Sequence, residues 1–321
     1  MTSKRIDFLE ECRAKVSHYP NSENISIKPS AFEVKNAKSS AELVSVGIPV
    51  RNGGQTLRRA IDSVLCQDHK NLEIIISDNC STDNTASIVL EYQRRDSRII
   101  YHRQSQFITV VENFRFVLDE ARGEYFIWAA HDDRRSADYV SELLHAMKLD
   151  PEPILTFGEC YSTCSIEEEG CIAPYNFDNT TLRPVQRMRK AVNPMCAHLY
   201  GLWRTDVLRG IRFYPCIWAW DQPVMPAAAY LGKFKYVPGP KFIYLTVDKS
   251  HVERAIYQDG KLSFNKYHSM LELLLATYKT SAGVGGVLIG LAAALFVVQM
   301  HTRNLPGFIS RRWQKMKPTR A

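Results

Sequence analysis

The sequence predicts an α/β fold with a mostly parallel central sheet, and two observations lead to this prediction. Compact runs of β-branched and apolar residues alternate, between residues 42 and 130, with segments whose apolar side chains repeat at helical spacing. Polar, turn-forming residues separate the two kinds of segment. Strands that alternate with helices form right-handed crossovers, which produce a Rossmann-like sheet with helices on both faces.

Four strands and three helices are expected in this part of the chain. The apolar runs predict strands at 42–50, 72–77, 98–103 and 124–130. The helical periodicity predicts helices at 55–67, after residue 85 and at 108–121. A core of ordinary size is expected, because the 321 residues are 45% hydrophobic and 23% charged.

Polar side chains follow three of the predicted strands. Arg51 and Asn52 come after the first strand, Asp78 after the second, and Asp132 and Asp133 after the fourth. In open α/β sheets, ligands bind in the crevice outside the carboxyl ends of the strands. We therefore expect these side chains to line one ligand-binding crevice.

The adjacent carboxylates of Asp132 and Asp133 indicate a cation site. Two neighbouring carboxylates repel each other, and a desolvated carboxylate without a partner is costly. Mg²⁺ or Mn²⁺ binds one or two carboxylates together with substrate phosphates, so a metal-bridged diphosphate is favoured. The alternative is that one of the two acids caps a helix that begins near Ser136. Asp78 at a second strand end favours the metal.

Several motifs, taken in order, resemble those of a known family. The segments "VSVGIPVRNGGQTLRRAIDSVLCQ", "LEIIISDNCSTDNT", "ARGEYFIWAAHDD", "HLYGLWRTDVLR" and "WAWDQP" look like family 2 glycosyltransferases of the GT-A fold. The resemblance covers roughly residues 43–250, and the ordered set is far more specific than any single motif. It implies that Pro49, Val50 and Arg51 line the nucleobase and ribose pocket. It also implies that Asp78 accepts a hydrogen bond from the base.

The resemblance also assigns residues to the metal and the diphosphate. Asp132 and Asp133 match the last two positions of a D-x-D-like motif, in which the former meets the ribose and the latter holds Mn²⁺ or Mg²⁺. His131 departs from the acidic version of that motif. His251 matches a histidine near the diphosphate and is assigned to the metal with Asp133. Asn113 matches an asparagine with an orienting role.

Asp221 is the residue that the resemblance implies as the catalytic base. Inverting transfer needs a carboxylate that deprotonates the acceptor hydroxyl as it attacks the anomeric carbon. The local sequence is W-D-Q, and the alternative is that Asp221 is a helix N-cap before Gln222 and Pro223.

The predicted function is a metal-dependent inverting transfer of a sugar from a nucleotide-diphosphate sugar to a glycan or lipid-linked saccharide. A UDP-sugar is the favoured donor.

Two other functions remain open from the sequence. A non-catalytic nucleotide-sugar binding module would keep Asp78 and the carboxylate pair but show no turnover, and the presence of Asp221 argues against it. A nucleotidyltransferase would carry a glycine-rich phosphate loop with a basic residue after the first strand. The segment "RNGG" at 51–54 imitates such a loop only weakly.

Three regions are expected: an N-terminal extension at 1–41, a GT-A catalytic domain at 42–260, and a helical, membrane-proximal segment at 261–321. Residues 283–300 are uncharged, whereas 301–321 carry six lysines and arginines and no acid, out of a net charge of +7. A basic segment of this kind favours an anionic lipid surface. Nucleic acid is not expected as a partner, because no basic, aromatic-interleaved patch occurs elsewhere.

Three placements of residues 283–300 are possible. A transmembrane span would put the basic tail in the cytoplasm and the catalytic domain on the opposite side, away from nucleotide sugars. Peripheral association with the inner face of a membrane is favoured over a span. A helix buried against the domain or against an identical subunit is the third reading, because four glycines would allow close contact. The eight cysteines, with no C-x-x-C pair, and the absence of a signal-peptide core indicate a cytoplasmic protein.

Overall fold

The computed structural model describes residues 42–163, 171–172, 178–192, 197–214, 221–245 and 266–299. These residues form one nine-stranded sheet with helices around it, so the predicted α/β class is confirmed. The strands are β1 Val44–Val50, β2 Leu72–Asp78, β3 Ile99–Arg103, β4 Tyr125–Trp128, β5 Arg134–Arg135, β6 Pro153–Thr163, β7 Cys171–Ile172, β8 Leu202–Arg204 and β9 Lys233–Leu245.

Helices alternate with strands up to β4, and this alternation is not kept in the second half of the chain. They are α1 Leu57–Leu65, α2 Thr85–Arg95, α3 Val110–Asp119, α4 Tyr139–Leu149, α5 Pro184–Ala191, α6 Thr205–Gly210, α7 Asp221–Leu231 and α8 Lys266–Gly285. A further helix, α9, covers 287–299, and a short 3-10 helix covers Ala197–Tyr200.

The first four long strands form the parallel half of the sheet, in the order β3-β2-β1-β4. Val50 of β1 lies opposite Asp78 of β2, so these two strands end at the same edge. Both strands are buried along their whole length, as expected for a parallel sheet that helices cover on both faces. The carboxyl ends that the sequence predicted to meet therefore do meet.

The other half of the sheet is mixed. β8 runs antiparallel to both β4 and β6, whereas β6 and β9 are parallel. The two-residue strand β5 pairs with β9, which places Arg134 opposite Ile243 and Arg135 opposite Phe242. Because β5 directly follows the carboxylate pair, this pairing holds the Asp132–Asp133 segment against β9.

Alternate residues of the strands face two separate cores, as the two-residue period of a strand requires. Ile48 and Ile74 pack with Leu57 and Ile61 of α1 on one face of the sheet. A second cluster contains Ile75, Phe126, Trp128 and Trp203 together with residues of α3 and α7. All of these side chains are fully buried, so the core positions both strand ends rigidly.

The helices α8 and α9 form an antiparallel hairpin. The chain turns at Gly286, whose φ of +80° is a conformation that favours glycine. A Cβ on Gly290 would lie 2.7 Å from the carbonyl oxygen of Tyr278, so the two helices approach closely at that point. Val297 packs with Leu273 at the other end. Among the described residues, no helix has both the length and the apolar character that a membrane crossing needs.

Candidate functional site

The loop after β1 is tied to the loop after β2 by hydrogen bonds. The backbone N–H of Asn52 donates to Ser81 Oγ at 2.9 Å, and the N–H of Thr82 donates to Asn52 Oδ1 at 2.9 Å. The N–H of Gly53 donates to Thr85 Oγ1 at 2.9 Å. Asn52 has a φ of 52°, a left-handed conformation that asparagine tolerates better than most residues.

The same loop also contacts the segment after β4. Thr56 Oγ1 and His131 Nδ1 are 3.1 Å apart, and Arg59 Nη2 donates to the carbonyl oxygen of Asp132 at 3.3 Å. β1 lies between β2 and β4 in the sheet. β4 ends at Trp128, opposite Gly47, whereas β2 ends at Asp78, opposite Val50, so the two strand ends are offset by three residues along the sheet. The three loops are therefore hydrogen-bonded to one another, and the ligand crevice that the sequence predicts between them stays a prediction.

Asp78 is fully buried at the end of β2 and is held from two sides. The N–H of Ser81 donates to Oδ1 at 2.8 Å, and the Tyr101 hydroxyl donates to Oδ2 at 2.9 Å. Burial, together with this bond to Asp78, raises the pKa of Tyr101 to about 12, so the hydroxyl remains a donor. The sequence identified Asp78 but not Tyr101, which resembles any other aromatic residue of a predicted strand.

Asn113, for which the sequence predicts an orienting role, contacts the residue before Asp78. It lies on α3 and is buried beside β2, where its Oδ1 accepts from Ser77 Oγ at 2.6 Å. Its Nδ2 donates to the carbonyl oxygen of Ser77 at 3.2 Å. Both bonds fix the residue that precedes Asp78. Asn79, which follows Asp78, is fixed in turn by a 2.7 Å bond from its Nδ2 to the carbonyl oxygen of Ile108.

The three residues predicted to line the nucleobase pocket differ in exposure. Pro49 and Val50 are buried as the last residues of β1, whereas Arg51 is partly exposed. The guanidinium carbon of Arg51 lies 4.3 Å from the ring centroid of Phe107, which is about half exposed. Cation–π contacts of this kind orient an arginine without removing it from solvent. Phe107 was not predicted as a site residue.

Asp133 is buried, whereas Asp132 beside it is partly exposed. Among the described residues, the Asp133 carboxylate accepts one hydrogen bond, from the N–H of Leu245 at 3.3 Å. Burial and the neighbouring charge of Asp132 raise the pKa of Asp133 well above its ordinary value. A buried carboxyl with so little hydrogen bonding is a group that a cation would stabilise.

Arg135 lies behind Asp133 as a buried cation. Its Nη2 donates to the carbonyl oxygen of Trp128, the last residue of β4. Its guanidinium carbon is 5.3 Å from the ring centroid of Phe242 and 5.7 Å from that of Tyr139. Burial lowers the pKa of Arg135, and the nearby Asp133 charge opposes that shift. The sequence analysis did not identify this arginine.

Tyr200 connects the carboxylate pair with Asp221. Burial raises its pKa well above the ordinary value, and the charges of Asp133, Asp221 and Asp132 add to the effect in that order. The charges of all three carboxylates therefore act on this one phenol. The Tyr200 ring stacks on Phe242 with a centroid distance of 5.2 Å and an interplanar angle of 16°. The sequence missed Tyr200, although it lies in the quoted "HLYGLWR" motif.

The structure does not decide the roles of two residues that the sequence predicts as functional, Asp221 and His251. Asp221 is the first residue of α7 and is partly exposed, so both the base and the helix-start readings remain compatible with its position. His251 lies outside the described residues. Within the described part of the chain, no group of three or more His, Cys, Asp or Glu side chains is arranged to hold a metal ion. Asp132 and Asp133 supply the two carboxylates with which Mg²⁺ sites are commonly built.

Comparison with known proteins defines the class to which this arrangement belongs. Residues 45–164 match the family model described as "Glycosyl transferase family 2". The resemblance seen in the sequence is therefore confirmed, and the chain carries a family 2 glycosyltransferase segment with the GT-A fold. The matched residues include Asp78, Asp132 and Asp133 but end before Asp221 and His251.

The curated relatives share the same segment. An uncharacterised glycosyltransferase of Rickettsia typhi is 34% identical over 116 residues, 36% of this chain and 35% of the relative. The GalNAc(5)-diNAcBac-PP-undecaprenol beta-1,3-glucosyltransferase of Campylobacter jejuni is 33% identical over 128 residues, 40% of each chain. The match thus spans about a third of the Rickettsia relative and two fifths of the Campylobacter relative.

Solved structures show the fold over a longer part of the chain. S. aureus TarS in complex with UDP has a TM-score of 0.53 at 17% identity, and the match covers 74% of this chain and 71% of that one. The mannosyltransferase PcManGT of Pyrobaculum calidifontis, in complex with GDP-Man and Mn2+, has a TM-score of 0.50 at 19% identity. That match covers 96% of this chain and 90% of PcManGT.

Proposed function

We propose that the protein is a metal-dependent inverting glycosyltransferase. It would move a sugar from a nucleotide-diphosphate sugar to a hydroxyl of a glycan or of a lipid-linked saccharide. The observation that carries this proposal is the hydrogen bonding that ties the loop after β1 and the start of α1 to the loop after β2, where Asp78 lies, and to the Asp132–Asp133 segment after β4. Groups suited to the nucleotide and to a divalent cation would thus border one crevice.

The donor would lie across the ends of β1, β2 and β4. Asp78, held by Ser81 and Tyr101, presents a fixed carboxylate that can accept a hydrogen bond from a nucleobase N–H. The loop at Arg51 and the loop at Asp132 would follow the ribose and the diphosphate. A uridine nucleotide is our preferred donor, because the TarS structure that shares this fold was solved with UDP.

The carboxylate pair fits a divalent cation. Asp133 would hold it, with Asp132 beside it and His251 as a further proposed ligand. When bound, Mn²⁺ or Mg²⁺ supplies positive charge that stabilises the departing diphosphate. The Leu245 N–H, at 3.3 Å from Asp133 Oδ1, orients that carboxylate from the β9 side.

Asp221 would act as the general base. It accepts the proton of the acceptor hydroxyl while the hydroxyl oxygen forms a bond to the anomeric carbon. The bond from that carbon to the diphosphate oxygen breaks with inversion, and the nucleoside diphosphate leaves with the electron pair. Its position at the start of α7 favours the carboxylate form, because the partial positive charge of a helix N-terminus stabilises an anion.

The acceptor side is proposed from a relative as well as from the fold. The Campylobacter protein is named as acting on an undecaprenol-linked saccharide. We propose an acceptor of the same general kind, a glycan carried by a lipid. The protein would then work on the cytoplasmic side of a membrane, as a peripheral protein on its inner face.

Replacing Asp221 with Asn tests the proposal. Nucleoside diphosphate release from a panel of nucleotide sugars, with and without Mn²⁺, should occur in the wild type and be lost in Asp221→Asn. UDP binding, followed by calorimetry, should be unchanged in the variant. Asp206→Asn is the matched control, since Asp206 is an exposed acid in the first turn of α6.

Three results would contradict the proposal in different ways. Unchanged turnover in Asp221→Asn would remove that residue from the mechanism. UDP binding without any turnover, including slow donor hydrolysis, would indicate a nucleotide-sugar binding module. Turnover that does not respond to a chelator would exclude the role of the divalent cation.

A further inference from the structure

We propose that the exposed face of α9, together with the adjacent basic surface of α5, docks the protein onto an anionic lipid bilayer. This inference rests on the proposed membrane location and names the surface that would produce it. Large apolar side chains repeat along the exposed face at spacings of three and four residues. They are Val287, Leu288, Leu291, Leu295 and Val298, exposed by 60%, 79%, 49%, 60% and 41%.

The opposite face of α9 is already used by the fold. Gly290, Ala293 and Val297 are buried, and Gly290 and Val297 pack against α8. The helix therefore has no polar face to turn toward water. Contiguous apolar surfaces of this kind mark binding sites, and single exposed leucines elsewhere do not.

Cations lie beside the apolar face in the structure. The guanidinium carbon of Arg189 on α5 is 5.8 Å from the ring centroid of Phe296 on α9. Lys190 on the same short helix and Arg183, which directly precedes it, are also exposed. An apolar strip bordered by arginine and lysine is the arrangement that binds the interface of an anionic membrane.

The sequence after α9 adds to the same charge. Residues 301–321 contain six lysines and arginines and no acid, and they begin two positions after the helix ends at residue 299. Charge decides between the two possible occupants of the strip. A second copy of the chain would bring two sets of cations together, whereas an anionic bilayer would neutralise them.

The docking surface is connected to the proposed base. α5 and α8 both pack against α7, which begins at Asp221. Arg187 of α5 donates to the carbonyl oxygens of Ala229 and Tyr230 near the end of α7, at 2.8 and 3.1 Å. Membrane docking through α5 and α9 would therefore hold the acceptor side of the crevice close to lipid-linked substrates.

Vesicle sedimentation of the full chain tests the surface. Wild-type protein should bind vesicles of phosphatidylglycerol and phosphatidylcholine, and bind much less to phosphatidylcholine alone. The variant Leu288→Gln/Leu291→Gln/Leu295→Gln should bind at least about 100-fold more weakly, because three apolar side chains no longer enter the bilayer. Arg189→Gln should bind about 5-fold more weakly, and only at low salt.

Matched controls separate this from a general loss of hydrophobicity. Leu90→Gln and Leu149→Gln change leucines that are 41% and 71% exposed on α2 and α4, and both should bind vesicles as the wild type does. UDP binding should be equal in all variants, so failure of the lipid surface is distinguishable from failure of the donor site.

Two outcomes would overturn the inference. One is wild-type binding to anionic vesicles in the leucine triple variant. The other is a wild-type dimer in light scattering that the triple variant converts to a monomer, with no vesicle binding by either protein. That second result would assign the strip to a second copy of the chain.

Discussion

Two buried carboxylates, those of Glu73 and Asp133, have pKa values that shift in opposite directions. Glu73 lies near the start of β2, where it accepts from Ser45 Oγ, Arg122 Nε and the Gly123 N–H. Burial acts to raise its pKa, but these bonds outweigh burial and the pKa is lowered. Asp133, after β4, accepts one long hydrogen bond from the described residues, from the N–H of Leu245 at 3.3 Å, and its pKa is raised.

The difference indicates that Glu73 serves the fold, and it supports the proposal that Asp133 holds a cation. Ser45 and Glu73 are partners in the register of β1 and β2, so the partner of Glu73 is built into the sheet. Gly123 allows the chain to approach, since a Cβ there would lie 2.6 Å from the Leu43 carbonyl oxygen. Within the described part of the chain, Asp133 has no equivalent set of partners, so its charge would be left for a cation to neutralise.

Replacing Asp133 with Asn should produce the largest effect on activity. We expect donor turnover to fall by about 100- to 1000-fold, because the cation loses its buried carboxylate. The metal-free protein should keep or gain thermal stability, since a desolvated charge is removed. Nucleoside diphosphate release and thermal unfolding in the presence of a chelator check the two parts. A marked loss of stability without metal would show that Asp133 is structural, as Glu73 is.

Replacing Glu73 with Gln should give the opposite result. We expect the free energy of unfolding to fall by about 2 kcal/mol, because a buried hydrogen-bonded charge loses its match to Arg122 and Gly123. Turnover by the folded fraction should be unchanged. Glu91→Gln is the control, since Glu91 forms surface ion pairs with Arg58 and Arg95 and should contribute little. If the free energy of unfolding fell equally in Glu73→Gln and Glu91→Gln, the buried hydrogen bonds of Glu73 would contribute no more than a surface ion pair.

The pH dependence of the free energy of unfolding should distinguish the roles of Glu73 and Asp133. The lowered pKa of Glu73 contributes stability that is present above its unfolded pKa of 4.5 and is lost as pH falls through the folded value. Glu73→Gln should therefore flatten the acid side of the stability curve. Asp133 acts with the opposite sign, because its raised pKa makes the metal-free protein less stable as pH rises above 3.8. Urea unfolding across acid pH measures both slopes.

The sequence predicted the carboxylates at the strand ends of this site, but not the tyrosines that contact or influence them. Asp78 and the Asp132–Asp133 pair could be identified because polar residues directly after apolar runs are visible in one dimension. Tyr101 and Tyr200 could not, because each reaches the site across the sheet from another element. The mixed half of the sheet was also missed: β8 and β5 contain only three and two residues, and the longer β6 and β9 lie outside residues 42–130, where the strands were predicted.

Replacing Tyr101 with Phe should produce the smallest effect, and it tests how Asp78 is held. The change removes the hydroxyl that donates to Asp78 Oδ2 at 2.9 Å and leaves the ring in place. The pKa of Tyr101, at about 12, means that the wild-type hydroxyl donates at any physiological pH. Loss of one such bond is worth about 1 kcal/mol, so UDP should bind about 5-fold more weakly.

Tyr92→Phe is the matched control, because the Tyr92 hydroxyl also donates to a carboxylate, that of Asp62, at 2.6 Å. Both variants should lose a similar amount of stability, since each breaks one bond of the same chemistry. Only Tyr101→Phe should change UDP binding, because Asp62 lies on α1 and Asp78 at the end of β2. Equal UDP affinity in the two variants would mean that the orientation of Asp78 does not matter for the donor. In that case the comparison would be limited to Glu73 and Asp133. The hydrogen bond from Tyr101 to Asp78 would then contribute to the stability of the fold and not to donor binding.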